Sequence, residues 1–134
     1  MGELGIRRGV YTSTVGVFGN TEGKIVDESY RHNDSLLTAY ERTKWAAHCE
    51  IAEPMMGRGL PLVIVQPGVT YGPGDPSPIG DALRQYLRGK LRRIPRTAAY
   101  CWAHVDDTAR AHILALEQFL TLAGRARYGT SKSL

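Results

Sequence analysis

Apolar positions in this chain fall into short continuous runs separated by stripes of helical period. Val10-Tyr11-Thr12-Ser13-Thr14-Val15 is β-branched and aromatic, a composition that favours a strand. Its approach, Leu4 to Arg8, reads as the tail of a helix ending before Gly9. A polar, glycine-containing stretch from Gly19 to Ser35 reads as loop. Asp34 or Ser35 then caps a long helix beginning near Leu36, carrying Ala39, Ala46, Ala47, Ile51 and Ala52 and running to about Met56. Pro54 is expected to bend or end it, because proline lacks a backbone donor and clashes one turn back.

Leu60 to Val65 is continuously apolar, as a central parallel strand covered on both faces would be. Pro67-Gly68 stops that run, and Tyr71-Gly72-Pro73-Gly74-Asp75-Pro76 reads as loop. Ile79 to Arg88 has helical spacing, and Tyr100 to Val105 fits a short strand. Asp106 or Asp107 starts a last helix with Ala109, Ile113, Leu116 and Leu120 near one face. The segment 124–134 is small and polar and is expected to be loose. Strand and helix alternate throughout, which predicts an α/β fold with a parallel sheet.

Composition changes this picture little. The chain has 134 residues, room for a single domain, and no linker or repeat divides it. A hydrophobic fraction of 43% with 22% charged residues argues against disorder throughout. No stretch approaches the roughly 18 apolar residues of a spanning helix, so no membrane span is expected. Met1 to Val10 has no apolar core of the kind a signal peptide carries. Cys49 and Cys101 show no motif spacing and read as buried or free thiols in a reducing, cytoplasmic setting.

The net charge of +4 is concentrated in one run containing Arg84, Arg88, Lys90, Arg92, Arg93 and Arg96. A nucleic-acid surface would group its basic residues on one face with aromatics for stacking. Tyr86 is the one aromatic inside this run. A solvated helix end and loop explain the run more simply, and no nucleic-acid partner is expected. A contact to a substrate phosphate or carboxylate stays open.

The candidate chemistry lies on the long helix. Tyr40 and Lys44 stand four residues apart and share a helix face. A free tyrosine is ionised to only about one part in a thousand at pH 7. A lysine charge in a partly dry cleft has the sign to favour the phenolate, and such a tyrosine can exchange a proton with a substrate hydroxyl or carbonyl. The spacing alone is common by chance, and its plainer reading is an amphipathic tyrosine beside a solvated lysine. Three other segments add weight. Ser13 and Thr14 stand near the C-terminal end of the first strand, where open α/β sheets bind ligands. Pro67-Gly68-Val69-Thr70-Tyr71-Gly72 follows the buried strand, with Gly68 and Gly72 able to admit a ligand close to the backbone. His104-Val105-Asp106-Asp107 precedes the final helix.

In this order and spacing, the four segments resemble the extended short-chain dehydrogenase/reductases, the NAD-dependent epimerase/dehydratase superfamily, over about Arg7 to Glu117. The resemblance implies part of a Rossmann-like parallel sheet with flanking helices, and NAD or NADP as cofactor. It implies Tyr40 as acid/base and Thr14 as hydrogen-bond donor to the substrate oxygen, with Ser13 a rival for that slot. It implies Lys44 on the nicotinamide ribose and the Pro67-Gly68-Val69 backbone on the carboxamide. His104 is expected to pack or hydrogen-bond rather than to catalyse.

The family's opening strands and its glycine-rich phosphate turn find no counterpart here. The expectation is therefore one partial domain over 1–134, the catalytic half of such an enzyme with the N-terminal strands missing. Two functions follow: a piece of an oxidoreductase, epimerase or dehydratase acting on a sugar-nucleotide, flavonoid-like or steroid-like substrate, or a non-catalytic remnant that binds another chain. The expected partners are a small-molecule substrate and, through exposed apolar faces, further copies of itself.

Overall fold

The computed structural model describes residues 5–31, 38–94, 96 and 99–128, with side chains described as far as Gln118. Strand β1 (Gly9–Thr12) pairs in parallel with β2 (Leu62–Val65), Gly9 opposite Leu62 and Thr12 opposite Val65. Backbone bonds from Ser13 N–H to the Val65 carbonyl (2.8 Å) and from Val15 N–H to the Pro67 carbonyl (3.0 Å) carry the ladder further. The strand expected over 10–15 is thus bonded along its length, although the regular strand ends at Thr12 and Thr14 is still extended. A single 3-10 turn over Val15–Phe18 takes over there, capped by Thr14 Oγ1, which accepts from Gly16 N–H at 3.1 Å.

The helix tail expected just before β1 is not found over residues 6–8, and Leu4 lies outside the described residues. Gly5 turns with a φ of +63°, and Gly9 N–H already bonds the Pro61 carbonyl at 2.9 Å. The approach to β1 is therefore recruited by β2 rather than by a helix.

The crossover from β1 to β2 is helical in three pieces: α1 (Ala39–Trp45), a π-helical segment (Ala46–Ala52) and α2 (Glu53–Gly57). The expected caps Asp34 and Ser35 and the expected start at Leu36 lie outside the described residues. Thr38 caps α1 in a reciprocal box: its hydroxyl accepts from Glu41 N–H at 3.1 Å, and the Glu41 carboxylate accepts from Thr38 N–H at 2.8 Å. The break expected at Pro54 falls before it. In the π segment, Glu53 N–H bonds the His48 carbonyl five residues back, and Pro54 then sits in the first turn of α2, where its missing donor costs least.

A second parallel pair joins β3 (Val69–Tyr71) to β4 (Trp102–His104), with Val69 opposite Trp102 and Tyr71 opposite His104. Helix α3 (Pro78–Leu87), capped by Ser77 Oγ accepting from Gly80 N–H at 3.2 Å, makes the crossover. Strand β3 was not expected. Helix α4 (Val105–Tyr128) packs on both strand pairs and contains residues 124–128, which had been expected to be loose.

The fold is α/β with parallel strands and flanking helices, arranged among the described residues as two strand pairs rather than one continuous sheet. Its interior is thin. Among the described residues the buried apolar side chains are Val17 and Ala52, and no large side chain is fully buried. Strand β2, expected to be covered on both faces, is half-buried throughout. Among the described residues it has one strand neighbour, and α2 and α4 pack against it. No helix among the described residues is long and apolar enough to cross a membrane.

Candidate active site

The C-terminal end of β1, the 3-10 turn after it and helix α1 form one junction, since α1 packs against that turn. Lys44 fixes it: its Nζ donates to the Thr12 carbonyl at 3.3 Å. Tyr40, one turn earlier on α1, is more than half exposed. Thr14 is half-buried, and since its oxygen accepts from the Gly16 amide, its own proton is left to donate.

The rival hydroxyl has a different setting. Ser13 is only 3% exposed, and its Oγ lies 2.7 Å from His48 Nδ1. His48 is itself buried, and its Nε2 lies 3.3 Å from Glu53 Oε1. Arg31 closes the series with a two-pronged contact to both Glu53 oxygens, each at 2.8 Å. None of His48, Glu53 or Arg31 stood out in the sequence. A histidine and a glutamate five apart do not share a face of an ordinary α-helix, and only the π segment brings them together.

A second unforeseen contact pins α4 to the same strand end. His112 Nδ1 lies 2.7 Å from the Thr108 carbonyl, and its Nε2 lies 2.9 Å from Thr12 Oγ1. A carbonyl can only accept, so the ring proton is on Nδ1 and the Thr12 hydroxyl donates to Nε2. His104 packs and bonds as expected. Its Nδ1 accepts from Asp106 N–H at 3.3 Å at the start of α4, and its ring meets Tyr71 edge-on at 5.5 Å.

The 67–72 segment serves packing first. The Pro67 carbonyl accepts from Val15, and Val69 N–H donates to the Cys101 carbonyl at 2.7 Å. A Cβ on Gly68 would collide with the Cys101 backbone, and one on Gly72 would collide with the Val105 side chain. The openness expected at these glycines is filled by the chain itself. Cys101 is exposed and Cys49 half-buried, both as free thiols.

The sequence profile of the NAD dependent epimerase/dehydratase family matches residues 1–126. A Synechocystis sp. protein that carries a provisional name as a dihydroflavonol 4-reductase is 34% identical over 127 residues, covering 92% of this chain and 36% of its own length. A Candida albicans sterol-4-alpha-carboxylate 3-dehydrogenase (decarboxylating) is 27% identical over 126 residues, with coverage of 92% and 36%. Cinnamoyl-CoA reductase 1 of Oryza sativa subsp. japonica is 28% identical over 127 residues, with coverage of 87% and 37%. The chain thus spans little more than a third of the length of these relatives. No solved structure matches it significantly. The parallel strand pairs with their helical crossovers and the profile matched over 1–126 agree, and the chain belongs to the NAD dependent epimerase/dehydratase family.

Proposed function

We propose that this chain is the catalytic part of a cytoplasmic NAD(P)-dependent reductase or dehydrogenase acting on a hydroxyl or carbonyl group. The names of the relatives favour a flavonoid-like or steroid-like substrate over a sugar-nucleotide. One observation carries the reading. The Lys44 ammonium, bonded to the Thr12 carbonyl, ties the helix bearing Tyr40 to the strand end bearing Thr14. Tyr40, with its exposed phenol, gives or takes the proton at the substrate oxygen. The Thr14 hydroxyl donates a hydrogen bond to that oxygen. Ser13 is the weaker claimant, because its Oγ is engaged with His48.

The residues present fit the nicotinamide end of such a cofactor. Lys44 spends one of its three donors on Thr12, and among the described residues its other two are available to ribose hydroxyls. With the Pro67 carbonyl, the Val69 amide and, through Thr70 Oγ1 at 3.5 Å, the Gly68 carbonyl engaged, the Gly68 amide is the group of that segment proposed for the carboxamide. When bound, the nicotinamide supplies or accepts hydride. The test is a fusion in which this chain replaces its matching segment in the Synechocystis relative. NAD(P)H oxidation is followed against a panel of apolar ketones. Tyr40→Phe is expected to lower turnover by about 10² to 10⁴; near-normal turnover would refute the assignment.

A second reading rests on a separate observation. The groove lined by Ile6, Val10, Ala47, Ile51, Met55 and Leu62 is apolar and open, and β1 pairs on one side only among the described strands. A chain with these faces uncovered acts by binding another chain, and a further copy of itself is the partner at hand. A fusion inactive on every substrate, together with a stable oligomer of the chain alone, would favour it.

A further inference from the structure

The π segment makes a meeting place for three side chains that the proposed chemistry does not use. His48, Cys49 and Glu53 each bring one ligand atom to within 4.8 Å of the others. In an ordinary α-helix five residues advance about 500°, leaving positions 48 and 53 roughly 140° out of line. The bond from Glu53 N–H to the His48 carbonyl tightens that offset by widening the turn.

The separations suit a metal better than a hydrogen bond. His48 Nε2 and Glu53 Oε1 are 3.3 Å apart. A charge-assisted N–H···O bond is typically about 2.7 to 2.9 Å. Two ligands each about 2.0 to 2.1 Å from a tetrahedral zinc stand about 3.3 Å apart. We propose that His48 Nε2, Cys49 Sγ and the Glu53 carboxylate form a site for a divalent ion of the zinc class. Ser13 Oγ, 2.7 Å from His48 Nδ1, is the orienting contact that metal-bound imidazoles make through their second nitrogen. With the proton on Nδ1, Ser13 Oγ accepts that hydrogen bond, which leaves the Nε2 lone pair turned to the ion.

The electrostatics agree. Cys49 is half-buried, and its Sγ lies within 4.8 Å of the ligand atoms of His48 and Glu53. Such a partly dry, electronegative spot is relieved by a cation, which takes the thiol as thiolate and releases its proton to solvent. A divalent ion, a thiolate and a carboxylate then sum to zero charge. Arg31 is the competitor. Its guanidinium, half exposed, occupies both Glu53 oxygens and must swing away when the ion enters. The mixed imidazole, thiolate and carboxylate set favours zinc or cobalt over calcium or magnesium.

Cobalt(II) is the probe, titrated into the purified full chain carrying Cys101→Ser, which removes the exposed thiol. A thiolate-to-cobalt charge-transfer band is expected, saturating at one ion per chain and displaced by zinc. Cys49→Ser should abolish it, and Ser13→Ala should weaken binding by about tenfold or more. Arg31→Gln, a change at an exposed side chain that leaves the packing alone, should tighten binding. No band at millimolar cobalt, a band that survives Cys49→Ser, or an Arg31→Gln chain that binds no more tightly would overturn the proposal.

Discussion

Lys44 reaches across 32 positions of sequence to set its ammonium 3.3 Å from the Thr12 carbonyl. One side chain thus fixes where α1 sits against the end of β1. In the fusion enzyme, Lys44→Met should lower turnover and raise the KM for the nicotinamide cofactor together. Steady-state kinetics with varied cofactor will show this, and a change in one parameter alone would separate the tether from cofactor contact.

Ser13 and Thr14 should divide stability from activity. Ser13→Ala strands His48 Nδ1 in a buried setting, at a cost of about 1 to 3 kcal/mol. Thr14→Ala removes the cap on Gly16 N–H, at a cost of about 1 kcal/mol, and under the proposed chemistry costs more turnover than Ser13→Ala. Denaturant unfolding and kcat measured on both variants will show whether the two losses fall on different residues.

Cys101 should react with iodoacetamide well before Cys49 at neutral pH. Cys101 is exposed, whereas burial of Cys49, reinforced by Glu53, favours its thiol form. The folded thiol titrates above its unfolded counterpart, so its contribution to stability is present below the unfolded value, about 8.5, and is lost as pH rises through the folded one. Mass spectrometry of a labelling time course, repeated at rising pH, reads both effects.

Asp75 makes the turn before α3 sensitive to acid. The Ser77 hydroxyl, then the Ser77 amide, hold its carboxyl below the usual range, with Arg84 assisting against slight desolvation. A depressed carboxylate stabilises above its unfolded value, about 3.9, and that contribution is lost as pH falls through the folded value. Protection of the Ser77 and Gly80 amides, measured against their intrinsic exchange rates, should therefore fall below about pH 4. Asp75→Asn should remove this pH dependence.

The thin interior leads to a prediction for the isolated chain. Domains of this size are held by only about 5 to 15 kcal/mol, and here no large side chain is fully buried among the described residues. The purified chain should self-associate or lack a cooperative transition. A sedimenting monomer that unfolds cooperatively above about 45 °C would contradict this.

What could be read in the sequence followed from short-range regularity. The β-branched run ending near Val15, the apolar run to Val65 and the helical stripes before Gly57 and after Val105 all became elements. Tyr40 and Lys44 could be found because four residues is close to one helical turn. Strand β3 was hidden by its neighbours: Pro67-Gly68 and Gly72-Pro73 mark turns, and only pairing with β4 makes Val69-Thr70-Tyr71 extended. Gly68 and Gly72 were read toward a ligand, because Cys101 and Val105, which fill the space beside them, are remote in sequence. His48, Glu53 and His112 gave no signal, since their partners depend on a widened turn or on a helix docked from far along the chain.

The widened turn also sets the phase between the two ends of the crossover. Residues before Ala46 set Lys44 on the strand end, while those after Ala52 present Met55 to the groove beside β1. Were 46–52 to take ordinary pitch with every residue kept, everything from Glu53 onward would rotate by about 100°. Lys44 would keep its place on Thr12, while the Glu53 carboxylate would turn away from His48 and the groove would lose its wall. The one extra residue that this turn absorbs is therefore what lets the two halves of the helix serve different neighbours.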